Sequence, residues 1–143
     1  MKSAAEMLAC QANPLRTVTP DATVFEALHL LAEHQVGALA VIDPNGKLIG
    51  IVSERDYTRK VALQGKNSRD ATVAEIMTHE VLVVNPKTRA RECMALMSNR
   101  KIRHLPVVDG ETLLGVLSIR DLLDAIIDEQ THTIQQLENY IQS

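Results

Sequence analysis

The sequence predicts an α+β fold in which two copies of one β-α-β-β-α unit pack sheet to sheet about a pseudo-twofold axis, followed by a long C-terminal helix. Three observations predict it. The stretch GIVSERD at residues 50–56 returns as GVLSIRD at 115–121. Sliding the chain against itself by 66 residues lays Val18, Pro20, Glu26, Leu30, Leu39, Val41 and Asp43 on Val84, Pro86, Glu92, Leu96, Leu105, Val107 and Asp109. After one residue is dropped, an offset of 65 lays Leu48, Gly50, Ser53, Arg55 and Asp56 on Leu113, Gly115, Ser118, Arg120 and Asp121. From Leu122 to Ile141 neither Pro nor Gly occurs. The boundaries that follow are 1–68 for the first repeat with an N-terminal helical segment, 69–128 for the second, and 129–143 for a helical extension.

Each unit reads in the same order. A short strand is expected at about 16–19 and again at 82–84. Val24, Ala27, Leu28 and Leu31 then stand at i, i+3, i+4 and i+7, and Ala90, Cys93, Met94 and Met97 hold the same places in the second copy. That spacing is the apolar stripe of a helix with one face inward. Two short apolar runs follow, ALAVI (38–42) and KLIGIV (47–52) in the first copy, HLPVV (104–108) and TLLGVL (112–117) in the second. Runs of this length separated by turn residues are the strands of a hairpin. Asp43-Pro44-Asn45-Gly46 suits a type I turn, and Asp109-Gly110 makes a tighter one. A helix starting near Glu54 or Ile119 closes each unit, and the polar run at 64–72 links the copies. Upstream, Ala5-Glu6-Met7-Leu8 resembles Ala74-Glu75-Ile76-Met77.

Forty-five per cent of the 143 residues are apolar but only 2% are aromatic, so the interior must be built from aliphatic side chains and Met. A unit of this size buries too little surface to stand securely alone. The two sheets are therefore expected to share one aliphatic core. The formal charge of −3 and the shortage of stacking aromatics speak against nucleic acid. No run approaches the ~20 apolar residues of a membrane span, and Glu6 and Gln11 interrupt any secretory signal, so a cytoplasmic protein is expected. Cys10 and Cys93 form neither a CxxC pair nor a disulfide framework. His29, His34, His79 and His132 show no metal-ligand spacing, and Cys93 has no histidine placed by sequence to activate it. No base and nucleophile pair can be assembled, so an enzyme is not expected.

The repeated Ser-x-Arg-Asp has two readings. A Ser that ends a strand, with an acid three residues on, caps a helix start. Yet the acid is Asp both times, where a capping box favours the longer Glu or Gln, and Arg55 and Arg120 add a cation beside an anion-favouring helix terminus. One carboxylate can accept from both ribose hydroxyls while the Ser hydroxyl and helix N-terminus face a phosphate. The usual phosphate loops, GxxxxGK[ST] and GxGxxG, are absent.

Over residues 5 to about 127 the duplicated unit resembles a tandem pair of CBS (cystathionine beta-synthase) domains, a Bateman module. The resemblance is carried by TVTPDATVFEAL, QVGALAVID and GIVSERD in the first copy and EIMTHEVLVVNP, RKIRHLPVVD and GVLSIRD in the second. It implies a freestanding, non-catalytic regulatory module that binds AMP, ADP, ATP, NAD(H) or S-adenosylmethionine between its repeats, AMP foremost, and requires no cofactor. By position, Ser53 with Asp56 and Ser118 with Asp121 take phosphate and ribose, and the strand starts Val36-Gly37-Ala38 and Ile102-Arg103-His104 hold base and phosphate. Only the second copy is basic there. Lys101, Arg103 and His104 stand where Gly37 and Ala38 leave room, which predicts unequal sites. Arg59 and Lys60, one turn beyond Asp56, can reach the same anion, although such residues more often form a solvated helix face.

Leu123, Ile127, Ile134, Leu137 and Ile141 run along the final helix at three-and-four spacing, broken once by Gln130. A helix of this length overhangs a small domain, so its apolar face needs another surface, either a second chain or the chain's own module. The resemblance implies a homodimer with four CBS units in a flat disc; without a nucleotide ligand, the same chain would be a dimerisation module only.

Overall fold

The computed structural model describes residues 1–11 and 14–142; Ala12, Asn13 and Ser143, the last residue of the predicted extension, lie outside the described residues. Along the chain run α1 (Ala4–Ala9), β1 (Thr17–Val18), α2 (Val24–His34), β2 (Ala38–Ile42), β3 (Leu48–Ser53) and α3 (Glu54–Tyr57). After a linker come α4 (Val73–Ile76), α5 (Ala90–Arg100), β4 (His104–Asp109), β5 (Thr112–Ser118) and α6 (Ile119–Gln142). The predicted duplication is present in the backbone. In both hairpins the strands pair antiparallel, Ala38 opposite Ser53 and His104 opposite Ser118, and each carries its register shift at the same place, after Val41 and after Val107. Both stripe helices end on a left-handed residue, Gln35 with φ 54° and Lys101 with φ 55°.

Local chemistry sets these boundaries. Thr23 caps α2 by accepting from the Glu26 N–H while Glu26 accepts from the Thr23 N–H, a reciprocal capping box. Asp43 Oδ1 accepts from the Asn45 and Lys47 amides at 2.9 Å, closing the first hairpin turn.

Three elements differ from the sequence expectation. β1 pairs parallel with β2, but the expected strand at 82–84 shrinks to one bridge, Val84 to Val107, so the second sheet has two strands where the first has three. The chain turns away at once because Asn85 and Thr88 bond each other's backbone and Asn85 also takes the Lys87 amide. The helix after Ser53 runs as α only to Tyr57 and continues as a π turn, Thr58–Ala62, where Thr58 Oγ1 returns to the Glu54 carbonyl.

The third difference lies in the interior. Instead of one shared core, two clusters of buried side chains form, and the repeats exchange short helices to complete them. Val73, Ile76 and Met77, on and just after α4, join Val24, Ala27, Leu31, Leu39 and Val41 of the first repeat. Ala4 and Met7 of α1 join Ala90, Cys93, Met97, Leu105 and Val107 of the second. Each exchanged segment lies against the hairpin glycine of the unit it joins. A Cβ on Gly50 would stand 2.7 Å from Met77 Sδ, and one on Gly115 would stand 2.7 Å from Leu8 Cδ2. The repeated Gly is thus explained by close approach of a crossing helix.

Along β2, Leu39 and Val41 point to the helices, so the alternate residues Ala38 and Ala40 point the other way, where Ala40 is fully buried outside the helix-side cluster. Pro106 holds the matching place on β4 and is equally buried. The sheets therefore meet through small, thin faces. A Cβ on Gly37 would come within 3.4 Å of the His104 ring, which marks how near the strand starts approach across the axis. Cys93 is fully buried, and burial raises its thiol pKa, as a core residue requires.

Candidate functional site

Both Ser-x-x-Asp corners are capping boxes. The Ser53 hydroxyl accepts from the Asp56 N–H at 3.2 Å, while Asp56 Oδ2 accepts from the Ser53 N–H at 2.9 Å and from its hydroxyl at 3.1 Å. The second copy repeats this: Ser118 Oγ accepts from the Asp121 N–H at 3.3 Å, and Asp121 Oδ2 accepts from the Ser118 N–H at 2.7 Å and Oγ at 3.1 Å. The shorter Asp closes the box because the Ser sits on extended backbone at the strand end, bringing its N–H toward the first turn. Helix capping is therefore one job of these residues.

What surrounds the two carboxylates differs. Asp56 is 9% exposed, and its Oδ1 meets Lys60 Nζ at 3.3 Å, while the same ammonium donates to the Ile76 carbonyl at 2.8 Å. Lys60 folds back one turn onto the corner while its side chain stays 42% exposed, so it is both partly solvated and within reach of the carboxylate. Asp121 is half-buried, and the described bonds to it fall on Oδ2, including one at 2.9 Å from Gln11 Nε2, which also donates to the Val116 carbonyl.

Beside Asp121 opens a cavity of about 440 Å³. Its wall joins both repeats: Val36, Gly37, Ala38 and Leu39 from the start of β2, Ser118, Arg120 and Asp121 from the second corner, and His104 from β4. Of the thirteen residues singled out in the sequence, these strand-start and corner residues come together. Ser53, Arg55, Asp56, Lys101, Ile102 and Arg103 do not line this cavity. Of these, Arg55 Nη1 approaches the Lys101 carbonyl at 3.4 Å, Ile102 packs on the second core, and the Arg103 carbonyl accepts from the Ile119 N–H at 2.9 Å.

The cations were placed only in part by sequence reasoning. Arg16 lines the cavity with Arg120 and was missed, as were Leu15 and Gln11. The parallel pairing of Thr17 with Ala40 explains it, because that register carries the residues before β1 alongside the start of β2. The residue 66 positions after Arg16 is Leu82, so each corner draws its charge from a different element. Burial lowers the pKa of His104 from its ordinary 6.5; the Asp121 carboxylate opposes the shift and Arg103 adds to it. The ring is therefore neutral near pH 7 and able to accept as well as donate.

The protein-family description that matches the chain is that of the CBS domain, over residues 10–63 and again over 73–128. The chain belongs to the CBS domain family. It is 40% identical over 128 residues to the mitochondrial CBS domain-containing protein CBSX3 of Arabidopsis thaliana, covering 87% of this chain but 62% of that protein. Among solved structures, a protein with CBS domains from Burkholderia ambifaria superposes with a TM-score of 0.85 at 43% identity, covering 90% of this chain and 96% of the other. A CBS-domain containing protein from Agrobacterium tumefaciens does so at 0.81 and 32%, covering 87% and 98%. CBS pairs are regulatory modules that generally bind adenosine ligands. Among the described residues no helix is long and apolar enough to cross a membrane, and no group of three His, Cys, Asp or Glu could hold a metal.

Proposed function

We propose that this CBS pair is a non-catalytic sensor that binds an adenine nucleotide, AMP foremost among AMP, ADP, ATP, NAD(H) and S-adenosylmethionine, in the cavity beside Asp121. One observation carries the reading: a single cavity gathers apolar strand residues, the carboxylates of Asp121 and Asp124, a Ser at the start of a long helix and two arginines. Its volume lies in the range of small-molecule sites, roughly 300–1,000 Å³. Val36, Ala38, Leu39 and Val116 offer the base an apolar slot. Asp121 accepts from the ribose hydroxyls. Arg16, Arg120, the Ser118 hydroxyl and the α6 N-terminus face phosphate. The Asp56 corner, with its carboxylate engaged by Lys60, is the weaker site. Binding across the two repeats shifts their relative tilt within a disc-like homodimer, and a partner protein that distinguishes the two states reads it.

Isothermal titration with AMP, ATP, NADH and S-adenosylmethionine tests this, and no heat with any of the four removes it. Asp121→Ala should weaken binding more than Asp56→Ala, while equal losses refute the inequality of the sites. A second reading, a dimerisation module without a nucleotide, is favoured by the capping boxes, which already account for both carboxylates. Under it both Asp substitutions leave titrations of every nucleotide unchanged.

A further inference from the structure

Helix α6 leaves its own module part-way along. Leu122 and Ala125 are buried and Ile126 and Glu129 half-buried, but every residue from Gln130 to Gln142 is exposed. Those 13 residues project about 20 Å of helix into solvent. A single helix of that length is marginal in water without a packing partner.

The overhang carries a continuous seam. Leu123 (46% exposed), Ile127 (56%), Ile134 (57%), Leu137 (58%) and Ile141 (79%) fall with Gln130 on alternating steps of four and three. In heptad terms, Ile127, Ile134 and Ile141 occupy a, while Leu123, Gln130 and Leu137 occupy d. β-Branched residues at a with Leu at d favour two parallel strands. At 3.6 residues per turn the seam lies about 100° around the helix from the face packed on the module, so it stays open beside the body as well as beyond it.

We infer that this seam pairs with the same seam of a second copy, forming a parallel, in-register two-stranded coiled coil. Self-complementarity chooses the occupant and the direction. In the parallel register Gln130 meets Gln130 of the partner copy, and the two amides can satisfy each other. The antiparallel register of full overlap sets Gln130 against Ile134, burying an amide without a partner. It also aligns the e positions Asp124 and Glu138 twice, two repulsive pairs, whereas the parallel register places Thr133 against Glu138 and Ile126 against Thr131. A twofold axis along the seam carries the two bodies to opposite sides of the helix pair, so neither blocks the other.

Sedimentation equilibrium of the full chain is expected to give a dimer. Replacing Ile134 and Leu137 with Asp together, at exposed positions outside both buried clusters, should raise its dissociation constant about a hundredfold or more, with a loss of helical circular dichroism no larger than the overhang accounts for. Leu137→Cys in a Cys10→Ser background should form a reducible inter-chain disulfide, because an antiparallel pair sets residue 137 beside Ile127 instead. A monomeric wild type, a trimer or tetramer, an unchanged constant in the Asp variant, or no disulfide overturns the inference.

Discussion

The two hairpin glycines face different obstacles, and a methyl group at each should have different consequences. At Gly115 the added Cβ would meet Leu8 Cδ2 at 2.7 Å and Cδ1 at 3.2 Å, the far end of a half-buried side chain that can turn aside. At Gly50 it would meet Met77 Sδ at 2.7 Å and also the Thr78 carbonyl oxygen at 3.0 Å. That carbonyl is fixed, since Thr78 and Ile51 exchange backbone bonds of 2.8 and 3.1 Å. Overpacking costs about 1–3 kcal/mol, against a gain of about 0.5–1 kcal/mol from removing a strand glycine. Gly115→Ala should thus fall within about 1 kcal/mol of the wild type, while Gly50→Ala should lose about 2 kcal/mol. Urea unfolding with a common m-value reads both. Leu8→Ala should relieve the first clash, so the Gly115→Ala, Leu8→Ala cycle should show coupling of at least about 0.5 kcal/mol. A Gly115→Ala loss as large as that of Gly50→Ala, or strict additivity with Leu8→Ala, refutes the crossing-helix account of the repeated glycines.

Two further outcomes follow from the corners. Ser53→Ala and Ser118→Ala should each lower stability by about 1 kcal/mol through loss of the cap, read as a shift in urea midpoint; a change near zero in both would show that Asp alone holds the turn. His104 supplies a pH dependence. Because burial lowers its folded pKa below 6.5, the unfolded chain takes up the proton first, so stability is level above pH 6.5 and falls as pH drops from there through the lowered folded value. His104→Gln should flatten that part of the urea-midpoint profile, and an unaltered slope contradicts the assignment.

The duplication was legible because its signals are local. Short apolar runs bounded by Asp, Pro, Asn and Gly mark both hairpins, and the stripes through Leu31 and Met97 mark both stripe helices. The exchange of α1 and α4 was not legible as such. AEML at 5–8 matches AEIM at 74–77, but a helix of four to six residues does not say which core it joins; that depends on chain direction at the linker. Arg16 escaped for a similar reason, since only the β1–β2 register carries it to the cavity. The helical pattern leaves Lys60 between solvent and the corner, and its place four residues after Asp56 lets a flexible stem bring the ammonium back to the carboxylate. Long-range placement, not residue chemistry, separates what could be read from what could not.

The capping geometry and the nucleotide proposal make different demands on one carboxylate, and the two oxygens separate them. Oδ2 is held by the Ser N–H and hydroxyl in both copies, so any sugar hydroxyl must turn chiefly to Oδ1. In the first copy Oδ1 already faces the Lys60 ammonium, whose other bond to the Ile76 carbonyl ties it to the crossing helix α4. A ligand there must displace a charge-assisted contact and loosen that tie. In the second copy the neighbour is the Gln11 amide on Oδ2, a neutral donor just after α1, and the cavity opens beside it. That bond falls on Oδ2, so a sugar hydroxyl arriving at Asp121 Oδ1 need not displace it, whereas one arriving at Asp56 Oδ1 must displace an ion pair. Identical motifs thus arrive at unequal readiness through their neighbours, which is why the inequality rests on Lys60 and Gln11 and not on the Ser-x-Arg-Asp itself.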